Sequence, residues 1–337
     1  MTTYDIVESP DETTVFGYHD LTPPTLADVY EARSVVSRHL SRTPLVRSEF
    51  LSEELDADVY LKREDTLPTG AFKVRGGVNL CAGLDEEFRD PGLIAASTGN
   101  HGQSVAYAGR AFDIPVLVAV PGDPNPDKVA AMERMGAEVH PVGRDYDDAR
   151  EWAEERARTE GYRYVHSANE PALVAGVATA GLEVVEDLPR VDTLFCPVGG
   201  GSSASGYCLT VGEMADADVV GVQSENASAM YHAWSEGHLR PRDDADTYAE
   251  GLQSRVPFAL TTEILRERLA EMVLVSDERI EAAVETMLLE EHLVLEGAAC
   301  ASVAAALERS DELAGQTVVL QISGRNLAAE KLRAVLD

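Results

Sequence analysis

Lysine is nearly missing from this sequence: it occurs only as Lys62, Lys73, Lys128 and Lys331, and arginine supplies the rest of the cationic side chains. Positive charge is scarce altogether. Asp and Glu number 59 against 28 Lys and Arg, a formal net charge of −31, and such a surface repels nucleic acid and anionic membranes. No apolar run approaches the roughly 18 residues of a membrane span, so no membrane partner is expected. The four cysteines, Cys81, Cys196, Cys208 and Cys300, form no C-x-x-C pair. Neither a zinc nor a dithiol motif is therefore signalled, and no metal site is expected. The first residues, "MTTYDIVESPDETT", are acidic and polar, the opposite of a secretory signal. Together these absences point to a cytoplasmic protein with reduced thiols. Aromatics are also few, at 6%. The acids are dispersed, as in "SEELDADV" and "RPRDDADTYAE", and 45% of residues are hydrophobic, too many for a disordered chain. A folded protein from a salt-loaded (halophilic) cytoplasm fits, because salt screens the self-repulsion.

What is present is alternation. After a polar lead-in of about 20 residues, "TLADVYEARSVVSRHL" has helical spacing, with Thr25 as N-cap. "DADVYLKRED" predicts a short strand. "GLIAAS", "PVLVAVP" and "AEVHPVG" predict strands that lead into the helices "GNHGQSVAYAGRAF", "PDKVAAMERMG" and "DYDDAREWAEERARTEG". "DTLFCPVGGG", "DADVVGVQS" and "QTVVLQISG" predict later strands. Apolar strands alternating with amphipathic helices imply an α/β fold, its mostly parallel, twisted sheets flanked by helices. The expected organisation is two domains: a large one from residues 1–91 and 169–337, and a smaller inserted one over 92–168.

Ligands in such folds bind beyond the carboxyl ends of strands, and three loops lie there. In "STGNHGQ", Ser97, Thr98 and Asn100 stand before a helix, whose free N–H groups make a cradle for a carboxylate; a plain helix cap is the other reading. In "PVGGGSSASG", three glycines leave the backbone open to wrap an anion, and Ser202 and Ser203 add hydroxyls. This is a phosphate loop by its physics, but it has no G-K-[ST]. In "LQISGRN", Ser323 ends a strand, either as a site hydroxyl or as a cap. Lys73 lies in "LPTGAFKVRGG". In a chain that prefers arginine, a lysine at this place marks a need for an amine that can lose its proton and act as a nucleophile, which arginine cannot do.

Lys73 in "TGAFKVRGG", the "STGN" loop, the tri-glycine loop and the late "SGRN" follow one another in an order that resembles the fold-type-II pyridoxal-phosphate enzymes. Within that fold, related to the β-subunit of tryptophan synthase, the chain is similar to the threonine/serine dehydratases (ammonia-lyases) and serine racemases, from about Leu26 to Asn326. The resemblance implies pyridoxal 5'-phosphate as cofactor and a small amino acid as substrate. It implies that Lys73 carries the cofactor aldehyde and that Phe72 packs beside the ring. Gly199, Gly200, Gly201 and Ser202 would hold the phosphate, and Asn100 the ring oxygen. Ser97, Thr98, Asn100 and His101 would form the substrate-carboxylate loop, while Ser323 would face the pyridine nitrogen with Glu296 nearby. A hydroxyl there leaves the ring nitrogen largely neutral, which favours β-elimination over transamination. A 2-keto acid and ammonia from L-threonine or L-serine, and a homodimer or homotetramer, are expected on the same ground.

The chain departs from the family pattern at named positions. Ser202 stands where a fourth glycine is common, and Arg325 where glycine is commoner. Thr98 replaces the serine that serves racemases as second acid/base. Glu225 has no second acid soon after it, so a divalent ion is not expected there. The sequence ends at Asp337, so feedback through a C-terminal regulatory domain is not expected. Serine racemase, 3-hydroxyaspartate dehydratase and threonine synthase stay as alternatives, with a cofactor-free binding protein on the same scaffold as the non-enzyme reading.

Overall fold

The structure is a computed structural model, and it describes residues 21–144 and 146–336. The polar lead-in expected at residues 1 to about 20 lies outside the described residues. The chain divides into two compact units. The first holds Arg42–Phe72 and the chain from Ala178 onward; the second holds the described residues up to Ser41 and Lys73–Val177. The lobe expected over 92–168 falls within the second unit.

The strands, in chain order, are β1 (Leu45–Arg47), β2 (Asp58–Arg63), β3 (Leu93–Ala96), β4 (Val116–Val120), β5 (Glu138–Pro141), β6 (Arg163–Tyr164), β7 (Thr193–Pro197), β8 (Asp218–Ser224), β9 (Glu271–Val275) and β10 (Thr317–Ile322). In the first unit they form a six-stranded sheet in the order β1-β2-β10-β7-β8-β9. Only the edge pair β1–β2 is antiparallel. Every residue of β7 is buried, as expected of a parallel strand covered on both faces. The helix Gly297–Glu308 is buried from Gly297 to Ala306. Its sequence, GAACASVAAALE, is short-chained nearly throughout, so its backbone lies close to the sheet. Helix Asp277–Leu289 starts at Ser276, whose hydroxyl accepts from the Arg279 N–H.

In the second unit β5-β4-β3-β6 form an all-parallel sheet. Ile94, Ala96, Leu117, Ala119 and Tyr164 pack there with Ala149, Ala153 and Ala157 of helix Tyr146–Glu160. The first described helix, Leu26–His39, begins in a capping box: Thr25 N–H donates to Asp28, and Asp28 N–H to the Thr25 hydroxyl. Helix Pro126–Arg134 has Pro126 in its first turn, behind an Asn125 cap. In helix Asn100–Ala111, a Cβ on Gly109 would lie 2.1 Å from Val116 Cγ2, so glycine sets how closely this helix approaches β4.

Both sheets have a point where successive strands turn opposite ways. In the first unit the chain moves from β7 to β8 and β9 on one side, while β10 pairs with β7 on the other. In the second it moves from β3 to β4 and β5, while β6 lies on β3's other side. The loops after β7 and β10, and after β3 and β6, leave the carboxyl ends of neighbouring strands at these switch points, where open α/β sheets bind ligands. Among the described residues, no helix is long and apolar enough to cross a membrane, and no cluster of His, Cys, Asp and Glu is arranged to hold a metal ion. All four cysteines are buried and unpaired, and burial pushes the Cys81 and Cys208 thiols up to about 12.

Candidate active site

In the first unit, the loop after β7 is Val198–Ser202. Its glycines are demanded from behind. A Cβ on Gly199 would meet the Gly251 carbonyl oxygen at 2.4 Å. Gly201 has φ +84°, and a Cβ there would lie 3.0 Å from Thr261 Cβ and 3.1 Å from Leu265 Cδ1. The Thr261 hydroxyl donates to the Gly200 carbonyl at 2.7 Å, which fixes that peptide. Helix Ser202–Tyr207 follows with no side-chain cap on its first N–H groups. A backbone held from behind, with uncapped N–H groups in front and Cβ atoms absent, is a built anion cradle. The Gly251 segment is itself fixed by Asp277. This carboxylate accepts from the Thr247 hydroxyl (2.6 Å), Tyr248 N–H (2.8 Å), the Ser224 hydroxyl (2.8 Å) and the Asn226 amide (3.0 Å). Burial alone would raise its pKa, but these bonds together outweigh burial and lower it.

The end of β10 gathers three more expected residues. The buried Ser323 accepts Phe72 N–H on its carbonyl at 3.0 Å. Glu296 N–H donates to the Gly324 carbonyl at 3.2 Å, and a Cβ on Gly324 would lie 2.4 Å from Glu296 Oε1. Arg325 N–H donates to the Gly70 carbonyl at 2.9 Å, and the Asn326 amide donates to the Thr69 carbonyl at 2.9 Å. The strap Leu67–Phe72 is thus laced to the strand end, and Gly70, at φ +70°, makes its turn. The backbone of Phe72 and of Glu296 thus meets the chain at Ser323 and Gly324.

The second unit holds the other group. Lys73 immediately precedes helix Val74–Ala82 and already has helical dihedrals. Its carbonyl accepts the Ser104 hydroxyl at 2.7 Å, and its half-buried Nζ lies 3.5 Å from the Ser167 carbonyl. The glycines after it serve packing. A Cβ on Gly76 would meet Leu173 Cγ at 2.6 Å, and one on Gly77 would meet the Ser104 hydroxyl oxygen at 2.5 Å.

In the loop after β3, the Ser97 hydroxyl accepts from Gly99 N–H (3.2 Å) and Gly102 N–H (2.9 Å), so it caps the helix. Thr98 is exposed and Asn100 half-buried, and a Cβ on Gly99 would enter open space. His101 is buried. Its Nε2 donates to the Val165 carbonyl at 2.9 Å, and its Nδ1 has no hydrogen-bond partner. Burial, and next the Lys73 charge, lower its pKa to about 4 against the opposing pull of that carbonyl, so the ring is neutral at pH 7. Sequence reasoning did not find Gly251, Thr261 and Asp277 behind the anion loop, nor the Val165–Glu170 segment beside Lys73.

Two sheets with ligand loops at their switch points, one loop built for an anion and one lysine heading a helix, define the architecture of the fold-type-II pyridoxal-phosphate enzymes. Residues 36–324 match the family model described as "Pyridoxal-phosphate dependent enzyme", and the chain belongs to that family. It is 36% identical to an L-threonine ammonia-lyase of Thermotoga maritima over 93% of this chain and 78% of the relative. The processed threonine deaminase isoform 2 of Solanum lycopersicum superposes with a TM-score of 0.88 at 28% identity, over 94% of this chain and 90% of that one. A serine racemase of Dictyostelium discoideum does so with a TM-score of 0.84 at 28% identity, over 90% and 99%.

The donor set fits pyridoxal phosphate, the cofactor this family uses. In the first unit, the loop after β7 offers backbone N–H groups beside glycines whose Cβ atoms the backing residues exclude, and the buried Ser323 ends a strand. In the second, Lys73 offers an amine for the aldehyde.

Proposed function

We propose that this protein eliminates water from L-threonine or L-serine and releases ammonia and a 2-keto acid. The observation that carries this is the 36% identity with an L-threonine ammonia-lyase over 93% of the chain. The backbone N–H groups of Gly199, Gly200, Gly201 and Ser202 would hold the cofactor phosphate, and Lys73 would supply the amine for its aldehyde. Phe72 would pack against the ring, Asn100 would donate to the ring oxygen, and the Ser323 hydroxyl would meet the ring nitrogen with Glu296 nearby. When bound, pyridoxal phosphate supplies the electron sink that makes the substrate Cα–H acidic. Lys73 Nζ, when free of the cofactor, would take that proton as general base. Ser97, Thr98, Asn100 and His101 form the loop for the substrate carboxylate. His101 is neutral, so it adds no charge of its own there. The β-hydroxyl leaves as water, and one water is regained when the enamine product hydrolyses, so the net products are keto acid and ammonia.

Racemisation of serine is the second reading, favoured by the likeness to the Dictyostelium discoideum enzyme. Exposed Thr98 keeps a hydroxyl for the opposite face of the substrate. A cytoplasmic homodimer or homotetramer, working in high salt, completes the proposal.

A keto-acid assay over L-threonine, L-serine, D-serine and 3-hydroxyaspartate in concentrated potassium chloride is the test. Keto acid from L-threonine or L-serine is expected. No keto acid from any of them, with threonine formed from phosphohomoserine, overturns the reaction class. Chiral chromatography of serine in the same samples reads the racemase alternative.

A further inference from the structure

The residues after β6 make a compact structure around one peptide. Arg163 and Glu170 form a buried two-pronged ion pair, at 2.9 Å for each bond. Glu170 Oε1 also accepts His166 N–H at 3.1 Å. His166 Nδ1 accepts two backbone N–H groups, from Ala168 at 3.0 Å and Asn169 at 2.9 Å. A ring nitrogen that accepts two donors carries its lone pair, so the ring proton sits on Nε2. His166 thereby does what an Asn or Asp does at a turn, folding its own chain two and three residues on.

The Ala168 N–H and the Ser167 carbonyl belong to one planar trans peptide, and they point in opposite directions. Holding the N–H on His166 therefore aims the carbonyl the other way. That carbonyl lies 3.5 Å from Lys73 Nζ. Val165, one residue before His166, receives His101 Nε2, so Lys73 and His101 both rest on carbonyls of this short segment.

From this we infer that His166 is a positioning residue for Lys73: it orients the Ser167 carbonyl, on which the lysine amine rests whenever it is not bonded to the cofactor. This deepens the proposed function and rests on Lys73 being the cofactor lysine. The physical content is a directed dipole. A carbonyl oxygen close to an ammonium favours the charged amine and holds it in one place, and a base must be placed before it can accept a proton. Arg163 and Glu170 act one step further back by holding the His166 backbone.

The chain has only four lysines, which makes the test clean. Full-length protein freed of cofactor is pulse-acetylated below the lysine pKa, and Lys73 is read against Lys128 by peptide mass spectrometry. His166→Ala frees the peptide, and Lys73 labelling is expected to rise about threefold, the effect of half a pKa unit. His166→Asn, whose side-chain oxygen replaces Nδ1 as acceptor, is expected to label as the wild type does. On the loaded enzyme, His166→Ala lowers kcat by about tenfold with KM little changed, and His166→Asn restores it. Equal labelling in wild type and His166→Ala overturns the inference, as does His166→Asn behaving like His166→Ala. The functional reading fails separately: borohydride reduction of loaded wild-type protein that attaches the cofactor to a residue other than Lys73 overturns it.

Discussion

The Ser104 hydroxyl donates to the Lys73 carbonyl at 2.7 Å, tying the helix that starts at Asn100 to the residue that heads Val74–Ala82. The same hydroxyl oxygen stands 2.5 Å from where a Cβ on Gly77 would be, with the Ser104 carbonyl oxygen at 2.8 Å. The position of Lys73 therefore depends on a glycine four residues later in its own helix.

Gly77→Ala is the sharpest probe of this packing. The new methyl meets a backbone carbonyl as well as the hydroxyl, so the two helices must separate. Overpacking of this kind costs about 1–3 kcal/mol. Denaturant titration should show that loss. The visible band of the bound cofactor should weaken or shift with it, because Lys73 moves with its helix. A variant as stable as wild type with an unaltered band contradicts the close approach.

Lys62 makes a second prediction, about stability alone. Its fully buried ammonium donates to Glu183 at 2.6 Å and to the Thr43 carbonyl at 2.9 Å. Lys62→Met strands the Glu183 carboxylate without its cation, a loss of about 3–5 kcal/mol. Adding Glu183→Gln removes the charge and keeps an acceptor for Thr43 N–H, now 3.2 Å away. The double variant should recover most of the loss in the same titration. If the two losses simply add, the pair is not coupled as the geometry requires.

The neutral state of His101 gives a pH dependence with a definite sign. Its folded pKa, about 4, lies below the ordinary value of 6.5. Between these values the unfolded chain binds a proton that the folded chain does not. The contribution is thus complete above about pH 6.5 and falls away as pH drops toward 4, by about 3 kcal/mol at most. His101→Gln retains an N–H for the Val165 carbonyl and does not titrate. The difference in unfolding free energy between wild type and His101→Gln should therefore shift against wild type over that window and stay constant above it.

A net charge of −31 predicts how salt acts. Self-repulsion is screened over about 10 Å at 0.1 M salt and about 3 Å at 1 M. The thermal midpoint should rise as potassium chloride increases through that range. A midpoint that stays flat or falls contradicts a surface adapted to high salt.

The loops that carry the candidate residues were legible in the sequence. The glycine run 199–201, Asn100 and Ser323 each sit within a few residues of the end of an apolar strand, and Lys73 heads a helix, so their places in the fold follow from local sequence. The helices were equally readable where caps marked them, as at Thr25 and Pro126. Short elements with weak local signal escaped: β1 has three residues, and β9 shows no clean alternation of burial.

By itself, then, the sequence determined which residue types stand at the ends of strands, because apolar periodicity and turn chemistry act over a few positions. Tertiary structure alone decided what lies behind them. Gly76 and Gly77 look like flexibility beside Lys73, yet they are the close contacts with Leu173 and Ser104. Gly251 and Thr261 support the anion loop from some fifty to sixty residues away. The Ser167 carbonyl reaches Lys73 across 94 residues. That meeting required β6 to pair beside β3 and not beyond β5. Strand order is set by which apolar faces bury one another, a property of the whole packed sheet that no short window of sequence contains.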